Sequence, residues 1–127
     1  MTAGELILYL IAALLLFYSG RRIIQRARMK EYTPTQVAAK LGNNSIILLD
    51  VRTAEERSRQ HIHGSLHIPV NDLTKRMKTL EQYRQKEIIC YCHSGTRSFV
   101  ATALLQKNGF HVANMRGGIV EWNFQNL

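Results

Sequence analysis

Residues 88–98 read Ile88-Ile89-Cys90-Tyr91-Cys92-His93-Ser94-Gly95-Thr96-Arg97-Ser98, and this segment predicts the architecture around it. It begins as an apolar run typical of a β-strand and passes through a short turn of glycine and hydroxyl residues. A periodic apolar segment, residues 99–105, follows at once and is typical of a helix. Cys92 therefore lies where a strand ends and a helix begins. The unpaired N–H groups at a helix N-terminus stabilise an anion, so this position predicts a nucleophilic thiolate.

The residues near Cys92 favour a reactive thiol. Arg97 adds a positive charge at the end of the loop, and we expect it to lower the pKa of the Cys92 thiol together with the helix N-terminus. Cys90 lies within the apolar run and is interpreted as a buried hydrophobic residue. A disulfide between the two cysteines is disfavoured, because residues i and i+2 of a strand lie about 6.5 Å apart. Cys90, Cys92 and His93 lack the spacing of a zinc site, so we predict no metal.

The N-terminal segment predicts a membrane anchor. Residues 6–18 contain no polar side chain except two tyrosine hydroxyls. Residues 2–20 would span about 28 Å as a helix, close to the roughly 30 Å hydrocarbon layer of a bilayer. A cleaved signal peptide is the alternative. It requires positive charge before the apolar run and a small-residue cleavage site after it, whereas here Glu5 precedes the run and basic residues follow it.

The distribution of charge predicts orientation and partners. The chain has 17 Lys and Arg against 9 Asp and Glu, and five of the positive residues follow the apolar run: Arg21, Arg22, Arg26, Arg28 and Lys30. The positive-inside rule places the N-terminus outside and the remainder in the cytoplasm, where the thiol stays reduced. This cluster favours anionic membrane lipid as a partner. No nucleic-acid-binding motif accompanies the other charges, so we predict no nucleic-acid partner.

Three parts of the chain follow from this composition. We expect a transmembrane anchor over residues 1–20, a basic juxtamembrane linker over residues 21–31 and one domain over residues 32–127. Within the domain, strands are predicted over residues 45–51, 66–69, 88–92 and 111–115. Helices are predicted over residues 34–40, 53–60, 73–84 and 98–108, with a last helical turn after Gly117-Gly118. This alternation predicts an α/β fold with a parallel sheet and helices on both faces.

Local signals mark the ends of these predicted helices. Thr33 with Gln36 and Thr53 with Glu56 have the spacing of capping boxes, which begin helices. Asn71 is predicted to cap the helix that follows it, and Gly109 to end the helix after the cysteine loop. In parallel α/β sheets, ligands bind at the carboxyl ends of the strands. Cys92 lies at such an end.

Five motifs together resemble a known family. They are Asp50-Val51-Arg52-Thr53, Glu55-Glu56, His61-Ile62-His63-Gly64-Ser65 with Ile68-Pro69, the Cys92–Arg97 loop, and Arg116-Gly117-Gly118-Ile119 with Trp122. In order and spacing the chain is similar to the single-domain rhodaneses, here in a membrane-anchored form. The resemblance implies the rhodanese α/β fold and sulfurtransferase activity without cofactors. It implies a catalytic Cys92 that carries sulfur as a persulfide, and a substrate-binding cradle formed by His93, Ser94, Gly95, Thr96 and Arg97.

The same resemblance implies the substrates and the roles of polar neighbours. Sulfur would pass from a small anionic donor such as thiosulfate to a thiol or to cyanide. Among the loop residues, we expect the Ser94 hydroxyl to donate to the sulfur. Asp50 and Arg52 resemble a structural acid–base pair near the site, and His61 is interpreted as structural too. Trp122 is predicted to fill the core.

Three departures from the family pattern affect the surroundings of the site. Gln60 stands where glycine is frequent, Arg57 where an aromatic residue is common, and His67 where asparagine is common. Two other functions stay open. A cysteine phosphatase of the related type has five residues between cysteine and arginine, whereas four separate Cys92 from Arg97 here. A non-catalytic, membrane-tethered interaction or redox-sensing module is the other alternative, although the intact cysteine disfavours it.

Overall fold

The computed structural model describes the backbone of residues 1–127 and the side chains of residues 1–24 and 28–127, so the predicted basic residue Arg26 lies outside the described side chains. The helices are α1 (Ala3–Arg28), α2 (Pro34–Lys40), α3 (Ala54–Arg59), α4 (Leu73–Arg76), α5 (Thr96–Lys107) and α6 (Gly118–Phe124). The strands are β1 (Glu31–Tyr32), β2 (Ile46–Asp50), β3 (Leu66–His67), β4 (Glu87–Tyr91) and β5 (Val112–Met115). Helix α1 includes the apolar segment and continues beyond Gly20 through the basic stretch.

The strands form a five-stranded sheet in the order β1-β5-β4-β2-β3, and every pairing is parallel. Strand β4 lies at the centre and ends one residue before Cys92. Because successive side chains of a strand point to opposite faces, Ile88 and Cys90 enter one core, while Ile89 and Tyr91 enter the other. The burial of both faces explains why this strand is an unbroken apolar run.

Helices cover both faces of the sheet, as predicted. Helices α4 and α5 pack on one face, where Leu73 and Leu105 are fully buried. Helices α2 and α6 pack on the other face through Val37 and Trp122. Trp122 is 8% exposed, in agreement with its predicted place in the core. The α/β fold predicted from the alternating pattern is therefore confirmed.

Both predicted capping boxes form. In the first, Thr33 Oγ1 accepts from the Gln36 N–H at 3.3 Å, and Gln36 Oε1 accepts from the Thr33 N–H at 2.9 Å. The corresponding distances in the second, between Thr53 and Glu56, are 3.2 and 3.0 Å. Each box satisfies two N–H groups that the first helical turn leaves unpaired. The starts of α2 and α3 are thus set by residues within four positions of one another.

The predicted helix after Asn71 is wrong in form. Asn71 lies inside a 3₁₀ turn, Val70–Asp72, and makes no capping hydrogen bond. Helix α4 is a single turn, and a 3₁₀ helix over Met77–Tyr83 continues it. The apolar spacing explains the difference, because positions 77, 80 and 83 repeat every three residues and match the three-residue turn of a 3₁₀ helix. Strand β1 was not predicted, since two residues are too few to show a period.

Asp50 anchors the loop that follows β2. Its carboxylate is fully buried and accepts from Arg52 Nε at 3.0 Å and Arg52 Nη2 at 2.9 Å. Arg57 Nη1 lies 3.3 Å away, and the Tyr91 hydroxyl donates at 3.0 Å. Burial alone would raise the Asp50 pKa, but the hydrogen bonds and charge of Arg52, with the Tyr91 hydroxyl, outweigh it and lower that pKa. The departure at Arg57 is thereby explained, because its guanidinium also bonds Ser65.

Replacing Asp50 with asparagine should lower the free energy of unfolding by about 3 kcal/mol, because Arg52 and Arg57 would lose their buried counter-charge. The lowered pKa means that this contribution is present above about pH 4 and is lost as the pH falls towards the folded-state pKa. Urea unfolding at several pH values measures both effects. Glu55→Gln is the control, since that exposed carboxylate should matter by less than about 0.5 kcal/mol. Equal losses in the two variants would contradict this account.

Candidate active site

The Cys92 sulfur lies at the carboxyl end of the central strand and accepts hydrogen bonds from the loop and helix that follow. The residue is only 1% exposed. The Gly95 N–H donates to Sγ at 3.0 Å, and the Ser98 hydroxyl donates at 3.3 Å. Burial by itself would raise the pKa of this thiol. Hydrogen bonds from the Ser98 hydroxyl and from the backbone N–H groups of Ser98, Gly95 and Ser94 outweigh the burial, so the Cys92 pKa is lowered.

Cys90 provides the contrast. It is also fully buried in the same core, but it lies within the strand, where its neighbours use their N–H groups in the sheet. Burial raises the pKa of the Cys90 thiol to about 12. The two thiols of this chain therefore differ in chemistry because one lies inside β4 and the other just beyond it. This difference agrees with the interpretation of Cys90 as a hydrophobic core residue.

Gly95 gives the loop its curvature. Gly95 is the N-cap of α5, and its φ is +108°. Residues with a side chain rarely adopt this backbone conformation. This turn directs the Gly95 N–H at the sulfur while the Gly95 carbonyl accepts the N–H of Phe99 at 3.1 Å. One residue thus both closes the loop around Cys92 and begins the helix after it.

The start of α6 holds the loop from the opposite side. The Ile119 N–H donates to the Cys92 carbonyl at 2.9 Å, and the Val120 N–H donates to the His93 carbonyl at 3.2 Å. A Cβ at Gly118, whose φ is +62°, would collide with both carbonyl groups. The Gly117-Gly118 pair is therefore needed for a close backbone approach, which keeps these two carbonyls bonded to α6.

The predicted loop residues differ in what they contact. His93, Ser94 and Thr96 are exposed, and Gly95 and Arg97 are half-buried. The expected hydroxyl donor was wrong: Ser98 provides it, while Ser94 contributes its backbone N–H. The sequence predicts a helix that begins at Ser98, but α5 begins at Thr96, so Ser98 lies in its first turn. The sequence signal for this donor is Ser98 itself, a hydroxyl residue six positions after Cys92 at the start of the helix.

Arg97 is engaged by a carboxylate that was not among the predicted site residues. Its Nη1 lies 2.7 Å from Glu56 Oε2, and its Nη2 lies 2.7 Å from Glu56 Oε1. The negative charge of Glu56 therefore partly offsets the positive charge of Arg97, which we expected to act only on the Cys92 thiol. The motif Glu55-Glu56 was visible in the sequence, but a contact across 41 positions was not.

The remaining polar neighbours serve the loops around the site. His61 is exposed, and its Nδ1 lies 3.3 Å from the Arg57 carbonyl oxygen. His67 Nε2 lies 2.7 Å from the Arg52 carbonyl oxygen. The Gln60 side chain exchanges two hydrogen bonds with Asn123, at 2.8 and 2.9 Å. Among the described residues, no group of three or more His, Cys, Asp or Glu side chains is arranged to hold a metal ion.

Comparison with known proteins agrees with this geometry. A family model described as the rhodanese-like domain matches residues 33–125, which is most of the chain. The chain belongs to the rhodanese-like domain family. The putative sulfurtransferase YtwF of Bacillus subtilis is 32% identical to this rhodanese-like domain protein over 95 residues, which cover 74% of this chain and 90% of YtwF.

Two further similarities are more partial. The putative sulfur carrier protein YrkF of Bacillus subtilis is 40% identical over 82 residues, but they cover 64% of this chain and 43% of YrkF. The crystal structure of a thiosulfate sulfurtransferase from Pseudomonas aeruginosa has a TM-score of 0.71 and 25% identity, covering 80% of this chain and 20% of that one. This chain therefore spans less than half of YrkF and a fifth of the Pseudomonas protein. The family and the sulfurtransferase relatives together support a sulfurtransferase-type enzyme.

Replacing Ser98 with alanine should raise the pKa of Cys92 by about 1, because a hydrogen bond to a charged group is worth about 1.5 kcal/mol or more. The rate of Cys92 alkylation by iodoacetamide, followed against pH, reports that pKa. Ser94→Ala is the matched control. It removes an exposed hydroxyl from the same loop, whereas the hydroxyl that donates to the sulfur belongs to Ser98. A pKa increase of the same size in the Ser94 variant would contradict the assignment of the donor.

Proposed function

We propose that this protein is a sulfurtransferase that carries sulfane sulfur as a persulfide on Cys92. The observation that supports this most is the buried Cys92 sulfur with donors from Gly95 and Ser98, which favour an anion at that position. A persulfide is itself an anion, so the same donors would stabilise the intermediate. Cys92 is then the catalytic residue. The loop from His93 to Arg97 is the substrate-binding segment.

The reaction proceeds in two balanced displacements. The Cys92 thiolate attacks the outer sulfur of thiosulfate, the new sulfur–sulfur bond forms, and sulfite leaves with the electron pair of the broken bond. Charge is conserved, because the thiolate and thiosulfate carry three negative charges together, as do the persulfide and sulfite. A thiolate or cyanide then attacks the outer sulfur of the persulfide and takes it, and the Cys92 thiolate is restored. Neither step requires an external oxidant, a metal or an organic cofactor.

Two observations favour thiosulfate as the donor. The solved Pseudomonas aeruginosa structure that this chain resembles is a thiosulfate sulfurtransferase. In addition, only four residues separate Cys92 from Arg97, one fewer than the resemblance implies for cysteine phosphatases. The shorter loop suits a single transferred sulfur atom better than a phosphoryl group.

Thiosulfate treatment of the native protein should add one sulfur atom to Cys92, and mass spectrometry of the digested protein locates it. Cys92→Ser should abolish sulfur transfer, because a hydroxyl is a far weaker nucleophile of nearly the same size. Cys90→Ser is the matched control and should remain active with reduced stability. An inactive but folded Cys90 variant beside an active Cys92 variant would overturn the assignment.

We also propose that α1 anchors the domain in a membrane with the domain in the cytoplasm. Residues Ala3–Ile24 form a helix long and apolar enough to cross a bilayer, and its apolar side chains are exposed. A signal sequence near the N-terminus can be equally long and apolar. The position of Glu5 before the apolar run and of the basic residues after it favours the anchor, and anionic lipid is its expected partner.

Single cysteines introduced on the two sides of the apolar helix test this topology. In intact cells, a membrane-impermeant maleimide should label Thr2→Cys, whereas Lys78→Cys, at an exposed position of the domain, should be labelled only after permeabilisation. Both variants also carry Cys92→Ser, because the native thiol would otherwise react with the maleimide, and the buried Cys90 should give little background. The reverse pattern would contradict the orientation. An intact mass that lacks the first twenty residues would contradict the anchor.

A further inference from the structure

We propose that Glu56 sets the charge selectivity of the Cys92 site by disfavouring dianionic donors relative to donors with a single negative charge. The inference rests on the proposed sulfurtransferase function, with thiosulfate as a donor that Glu56 disfavours relative to a monoanionic one. A thiosulfonate, in which an organic group replaces one oxygen of thiosulfate, is a donor of the favoured class. Its sulfane sulfur would transfer by the same displacement, with a sulfinate leaving with the electron pair.

The contact between Glu56 and Arg97 is the first observation. Two parallel N–H···O bonds of 2.7 Å join the carboxylate to the guanidinium, which is the strongest geometry for such a pair. Both side chains are about one-third exposed, so they lie at a surface that solutes reach. Glu56 therefore holds the guanidinium that the loop would otherwise present to an anion.

The second observation is that Arg97 is electrostatically coupled to the thiolate. The carboxylate of Glu56 and the negative charge of Cys92 both contribute to a raised Arg97 pKa. The three groups together carry one positive and two negative charges when Cys92 is ionised. Glu56 therefore adds repulsion for an approaching anionic donor, and this repulsion grows with the charge of the donor.

The third observation is that Glu56 cannot turn away easily. Its Oε2 also accepts from the Thr53 N–H at 3.0 Å and from the Thr53 hydroxyl at 2.9 Å. The carboxylate lies in the first turn of α3, where the helix N-terminus favours a negative charge. The Arg97 contact lowers the Glu56 pKa far below its ordinary value, so the charge is present at every working pH.

The alternative is that Glu56 only ties α3 to α5. Substitutions separate the two roles, because glutamine removes the charge and keeps the cap. This chain already contains that arrangement, since Gln36 fills the same position in the capping box of α2. Glu56→Asp does the opposite, keeping the charge while shortening the side chain. Glu55→Gln removes an equal charge from the neighbouring, more exposed position, where Arg59 is the partner.

The experiment compares kcat/KM for thiosulfate, a dianion, with kcat/KM for benzenethiosulfonate, a monoanion. In Glu56→Gln the ratio of thiosulfate to benzenethiosulfonate should rise about fivefold, as expected for removal of one charge near a partly exposed site. The ratio should stay at the native value in Glu56→Asp and in Glu55→Gln. Added salt should reduce the difference between the Glu56→Gln and native proteins.

An unchanged ratio in Glu56→Gln, with persulfide still forming on Cys92, would overturn the inference. An equal increase in Glu55→Gln would also overturn it, because the effect would then belong to the general field. If the native protein forms no persulfide with either donor, the proposed function fails instead. In that case, alkylation of Cys92 by anionic iodoacetate and by neutral iodoacetamide tests the charge selectivity by itself. The ratio of the iodoacetate rate to the iodoacetamide rate should rise in Glu56→Gln. An unchanged ratio refutes selectivity by charge.

Discussion

The lowered pKa of a buried thiol, Cys92, is the constraint on which the other features of the site depend. Burial opposes ionisation of Cys92, so the surrounding backbone has to supply donors in fixed directions. Gly95 supplies one through a left-handed turn, and Ser98 supplies another from the first turn of α5. Helix α6 donates to the carbonyls of Cys92 and His93, which fixes the backbone at the start of the loop. The sheet contributes by ending its central strand at this point.

Features set by neighbouring residues were predictable from the sequence. The two capping boxes, the strand–turn–helix order around Cys92 and the alternation of elements all involve residues close in the chain, so local propensity and the global fold agree. The two-sided burial of β4 could also be inferred, because an unbroken apolar run leaves no solvent face. The predicted place of Cys92 at the carboxyl end of the sheet follows from the same information.

Features set by distant contacts were not predictable in this way. The choice of Ser98 over Ser94 depends on where α5 begins, and a shift of two residues decides which hydroxyl lies near the sulfur. The partner of Arg97 depends on a contact between residues 41 positions apart, which no local pattern encodes. The 3₁₀ segment shows a different limit, since its three-residue spacing overlaps with the spacing expected of an α-helix.

Asp50 and Glu56, two carboxylates of the segment from β2 through α3, differ in exposure, and this difference separates the roles of their arginine contacts. Asp50 is fully buried with Arg52 and Arg57, so removing its charge leaves uncompensated cations in the interior and costs stability. Glu56 and Arg97 are about one-third exposed, and solvent screening limits such a pair to about 0–1 kcal/mol of stability. A contact that stabilises the fold so little still changes the charge on the cysteine loop, because Glu56 and Cys92 both act on Arg97. If the proposed function holds, we expect the Glu56–Arg97 pair to affect the chemistry of the loop more than the stability of the domain.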